Sequence, residues 1–147
     1  MMNATHQRAT ARLRLLVTLD GSSRDLAVLG GVARLAIGAP LEVTLLHVAY
    51  YHMRDERSFE RARSQAIVEQ ARQRLQLPDT AVHTLVCDGE VAATIVAQAR
   101  ATKADLIVMA GQGHTALRRV VERSLPDRVR RHATVPVVVV PAGRAAA

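Results

Sequence analysis

The chain has 147 residues, enough for one domain with a core of its own. Hydrophobic residues make up 49% and aromatic residues only 2%, so the core is aliphatic, and recognition of single-stranded nucleic acid, which stacks bases on aromatic rings, is disfavoured. The net charge of +7 comes from scattered arginines and reads as compositional bias; the single cysteine, Cys87, excludes an internal disulfide and suits a reducing cytoplasm.

Residues 1–12 lack periodicity and are expected to form a flexible tail; neither a signal peptide nor an apolar run of about 18 residues is visible, so no membrane association is expected. A first strand is expected over 13–19. It ends in Asp20-Gly21-Ser22-Ser23, a turn that also starts a helix. That helix is expected over 24–37, with Leu26, Leu29, Ala33 and Ile37 as its buried stripe. A second strand follows over 41–48, then a long charged helix over 56–75 whose apolar face is read as Phe59, Ala62, Ala66, Ile67, Ala71 and Leu75. A third strand covers 81–87 and a third helix 91–102. Leu106 to Met109 is a short, unbroken apolar run, as in a strand buried on both faces, and it collapses into Ala110-Gly111-Gln112-Gly113. Ser124-Leu125-Pro126-Asp127 has the form of a capping box, opening a helix to about residue 132. The last strand is expected over 135–140, and 142–147 form a second tail.

Strands alternate with helices throughout, which predicts an α/β fold: a mostly parallel sheet with helices on both faces. Ligands of such sheets sit beyond the carboxyl ends of the strands, where strand order reverses. With the first strand near the centre, that point lies between strands one and four. It would bring together Asp20, the segment from Met109 to Gly113, and Ser124 at the start of the next helix, whose free N–H groups suit an anion.

Three stretches in this order, Asp20-Gly21-Ser22 after a strand, Ala104-Asp105-Leu106-Ile107-Val108-Met109, and Val135-Pro136-Val137-Val138-Val139-Val140-Pro141, resemble the universal stress protein family over nearly the whole chain, residues 13–141. The resemblance implies a single-domain three-layer sandwich around a five-stranded parallel sheet of order 3-2-1-4-5. It implies ATP or another adenine nucleotide at the carboxyl edge, and a homodimer through the last strand, Val137, Val138, Val139 and Val140. The implied nucleotide-binding residues are Asp20, Val48, Met109, Gly111, Gly113, Arg123 and Ser124, with Val48 and Met109 lining the base pocket and Ser124 touching phosphate. The family's phosphate-binding glycines fall on Ala110, Gly113 and Arg123, so two of three are replaced. Arg123 either fills the phosphate space or binds the phosphates through its guanidinium.

Simpler roles compete at each position. Asp20 stabilises a turn, Ser124 caps a helix, and Val48 and Met109 are strand core. The six histidines show no metal-ligand spacing, Cys87 reads as an inert thiol, and no nucleophile stands beside a base. The sequence therefore points to a regulatory or binding module without catalytic or metal-ligating residues. A slow ATPase or nucleotidyl-transfer enzyme on the same fold, or a basic nucleic-acid-associated protein, are the alternatives.

Overall fold

The computed structural model describes residues 11–49, 57–77, 81–111 and 124–141, with backbone alone for 57–59. Its elements run β1 (Leu13–Leu19), α1 (Arg24–Gly38), β2 (Leu41–Ala49), α2 (Arg57–Leu75), β3 (Val82–Asp88), α3 (Val91–Ala101), β4 (Leu106–Ala110), α4 (Leu125–His132) and β5 (Val137–Val140). The five strands form one parallel sheet in the order β3-β2-β1-β4-β5, as expected. Val17 sits at its centre, paired with Leu45 on one side and Val108 on the other.

The sheet divides two aliphatic cores. Leu15, Val17, Val43 and Leu45 pack with α1 and α2 on one face. Leu16, Leu46, Ile107 and Met109 pack with α3 and α4 on the other. Every strand between the edges is therefore apolar in both directions, as a parallel sheet covered on both faces requires. Among the described residues no helix is long and apolar enough to cross a membrane.

Three expectations are corrected. The inner face of α1 is Val28, Leu29 and Val32, whereas Leu26 is 52% and Ile37 88% exposed. This helix is apolar nearly all round, so spacing alone does not select the side that meets the sheet. In α2 the buried positions are Ser64, Val68, Ala71 and Leu75, while Ala62 and Ala66 face solvent. The last strand begins at Val137, not at residue 135. The chain bends at Thr134 and Val135, and Pro136, which has no N–H to give the ladder, contributes only its carbonyl, to the Ile107 amide at 3.0 Å.

Two glycines have a demonstrable structural reason. Gly21 has φ +80°, and a Cβ there would lie 2.8 Å from Ile67 Cδ1, so both conformation and space call for glycine where the β1 loop meets α2. A Cβ on Gly111 would stand 3.3 Å from both Val139 Cγ1 and the Val140 carbonyl oxygen. Its amide donates to that carbonyl at 2.7 Å, so the end of β4 is drawn tightly against β5.

Candidate functional site

Side chains alternate along a strand, and this alternation builds the site. Along β1, Leu15, Val17 and Leu19 enter the core under α1 and α2, while Leu16 enters the other core. On that second side the core opens at the carboxyl ends of the strands into a cleft of about 310 Å³. Thr18 and Asp20 line it from the end of β1, Leu46, His47 and Val48 from β2, and Met109 and Ala110 from β4. The starts of two helices close it, with Val91 and Ile95 from α3 and Leu125 from α4. Its walls are thus largely aliphatic, with two carboxylates, Asp20 and Asp25, and the His47 imidazole among its lining groups.

The Asp20 loop is held from within. Asp20 Oδ1 accepts the Ser22 amide at 2.8 Å, and the Arg24 guanidinium lies 3.6 Å from its other oxygen. The Asp25 carboxylate, in the first turn of α1, accepts the amides of Asp20 at 3.1 Å and Gly21 at 2.8 Å. It binds the loop to the helix start; Ser23 occupies the N-cap position without a side-chain hydrogen bond. Burial pushes the Asp20 carboxyl up, but the hydroxyl and amide of Ser22, the Asp25 side chain and Arg24 outweigh it, so it titrates below the usual value. Asp25 goes the other way. Its burial, with the neighbouring Asp20 charge, outweighs the two amides and raises its pKa. The two acids of the cleft are thus shifted in opposite directions, Asp20 downward and Asp25 upward.

His47 Nδ1 donates to the Leu19 carbonyl at 2.8 Å, which fixes the ring against the end of β1. Sequence reasoning passed over His47, Asp25, Val91, Ile95 and Leu125 as site residues. For His47 the available signal was its place beside Val48 at the end of a strand; for Val91 and Leu125, their places at helix starts.

The residues singled out in the sequence separate into groups. Asp20, Val48 and Met109 meet in the cleft. Gly111 lies just beyond Ala110 and turns toward β5. Ser124 caps α4, its Oγ accepting the Asp127 amide at 3.4 Å, and the next residue, Leu125, reaches the cleft. Gly113 and Arg123 lie outside the described residues. Among the described residues no group of His, Cys, Asp and Glu is arranged to hold a metal ion. The Cys87 thiol is pushed up by burial and by the adjacent Asp88, which keeps it protonated at neutral pH.

An open parallel sheet with helices on both faces and a crevice at its carboxyl edge, beside the strand where the chain turns from one side of the sheet to the other, defines a doubly wound α/β protein. Residues 12–141 match the Universal stress protein family, and the chain belongs to it. A universal stress protein of Methanocaldococcus jannaschii is 44% identical over 59 residues, which are 40% of this chain and 35% of that relative, so the matched stretch spans about a third of the relative's length. Among solved structures, a universal stress protein in complex with cAMP superposes with a TM-score of 0.72 at 21% identity, over 90% of this chain and 99% of that one. The universal stress protein of Archaeoglobus fulgidus in complex with dAMP gives 0.63 at 21% identity, over 87% and 97%. At these identities the likeness to the solved structures is one of fold.

Proposed function

We propose that this chain is a binding module that holds an adenine nucleotide, ATP or a relative of it, in the cleft at the carboxyl edge. The observation that carries the proposal is the convergence of Asp20, Val48 and Met109, from three different strands, on one cleft of about 310 Å³. That volume is at the small end of ligand pockets, roughly 300–1,000 Å³, and suits a nucleoside rather than a large cofactor. Aliphatic walls from Val48, Met109, Val91 and Ile95 suit the flat faces of a base. An ionised Asp20 accepts hydrogen bonds from ribose hydroxyls and repels phosphate, so the phosphates run away from it, toward Gly111 and Ser124; the family resemblance assigns Gly113 and Arg123 to them as well. The complexes of two structural neighbours with cAMP and dAMP agree with this choice of ligand. The role is regulatory, in the stress response and in the cytoplasm, and no residue of the cleft is assigned a catalytic step.

The module works as a homodimer in this proposal, paired through β5. That strand is an edge of the sheet, carries four valines and no charge, and leaves Val138 40% exposed, the features of an edge that a second copy can cover. Val138→Asp is expected to give monomers by light scattering, because an unpaired carboxylate would be buried in the contact; an unchanged mass would remove β5 from the interface.

The test of the ligand is to denature the purified protein and identify what it releases by mass. An adenine nucleotide at close to one per chain, absent from Val48→Glu, is the expected result. A protein that releases none, and takes up none when ATP is added, would contradict the proposal.

A further inference from the structure

A second, larger hollow of about 560 Å³ lies between α3 and α4. Its floor is small and aliphatic, made by Ala92, Ala93, Val96 and Ala97, and its rim is basic, made by Arg100 of α3 and by Arg128, Arg131 and His132 of α4. Helical spacing explains both. Ala93, Ala97 and Arg100 share one side of α3, and Arg128, Arg131 and His132 share one side of α4. Glu90 is the only carboxylate among the lining residues, and it is already engaged. It accepts the Ala92 and Ala93 amides at the start of α3 and pairs with Arg128. Among the described residues no carboxylate pairs with Arg100 or Arg131. By contrast Arg130, the neighbour of Arg131, reaches away to Asp127 and the Val137 carbonyl.

We infer that this groove is a docking site for an acidic, amphipathic segment of a partner protein. Charge complementarity selects the sign: Arg100 from α3 and Arg131 from α4 both line the groove with no carboxylate partner among the described residues, and each can take a carboxylate through two N–H bonds. The floor selects the class. Alanines let aliphatic side chains of a partner come down onto α3, which gives the contact an apolar centre and a charged rim, the usual anatomy of a protein interface. Nucleic acid would gain little from such a floor, since the alanines and the valine that make it offer no ring for stacking.

The test uses the full chain and a fluorescent amphipathic peptide of Glu and Leu at helical spacing, followed by anisotropy. Saturable binding is expected. Replacing Leu by Ser in the peptide should abolish it, and the double variant Arg100→Glu with Arg131→Glu should weaken it by roughly 10- to 100-fold. The variant Ala97→Glu, on an exposed turn of α3, should weaken it too. The control is Arg61→Glu with Arg63→Glu, which changes the net charge equally on α2, far from the groove; it should bind as the wild type does. Circular dichroism confirms that each variant is folded. Equal loss in both double variants, equal binding of the Ser peptide, equal and equally sensitive binding of single-stranded DNA, or no binding at all would each overturn the inference.

Discussion

The two faces of the sheet are built from the same strands and behave differently. Leu45 and Leu46 are adjacent in β2 and both fully buried, yet Leu45 belongs to the core under α1 and α2, and Leu46 lies under α3 where that core opens into the cleft. The first face is sealed by two helices of 15 and 19 residues. The second is covered by shorter helices of 11 and 8 residues, whose starts line the cleft. One face is closed over its core; the other leaves part of its core open at the cleft. The lesson is that a one-residue step along a central strand separates the closed core from the one that opens at the cleft.

Truncating each leucine in turn breaks the comparison most severely. Leu45→Ala and Leu46→Ala should each cost about 2–5 kcal/mol in urea denaturation, because each leaves a cavity in a tight core. Only Leu46→Ala should also weaken adenine-nucleotide binding by the folded protein; equal effects on binding would mean that the faces are not divided as described.

A smaller effect is expected at the open face, where Glu90 caps α3. Hydrogen bonding to the Ala93 amide, with further help from the Ala92 amide and Arg128, holds its carboxyl below the usual value despite some desolvation. A lowered folded-state pKa means that the contribution is complete above the ordinary glutamate pKa and is lost as the pH falls through the lowered one. Glu90→Gln should therefore cost about 1 kcal/mol or less at pH 7, since the group is half exposed, and this cost should vanish in acid. A cost independent of pH would show that the charge is not what acts.

The sealed face offers the smallest change, in the opposite direction. Ser64 is fully buried and its hydroxyl has no hydrogen-bond partner among the described residues. Ser64→Ala should raise stability by up to about 1 kcal/mol, removing an unsatisfied polar group and improving helix propensity. A loss of stability would mean that the hydroxyl is satisfied in solution.

Much of the architecture was legible in the sequence because buried parallel strands read as short apolar runs between turn signals, and β1, β4 and α4 fall close to their expected bounds. The faces of α1 and α2 were not legible. Leu26 and Ile37 are as apolar as Val28 and Val32, and only the sheet beneath decides which are covered. At the cleft, the meeting of Asp20 and Met109 was legible because each stands at a strand end and strand ends converge, whereas Val48 came from the family resemblance. Asp25 and His47 act through backbone groups of the Asp20 loop and of Leu19, and such contacts leave no spacing to read. The valines of β5 announced a strand, but Pro136 decided where its ladder begins.

The most direct measurement of the central claim is a calorimetric titration of ATP and AMP into the wild-type protein and into Asp20→Ala. One site per chain is predicted for the wild type. The variant, having lost the ribose acceptor but not the aliphatic walls, should bind roughly tenfold or more weakly, on the scale of a charged hydrogen bond of about 1.5–3 kcal/mol. Wild-type protein that gives no binding heat at any of several temperatures, or an Asp20→Ala variant that binds as tightly as the wild type, would contradict the account.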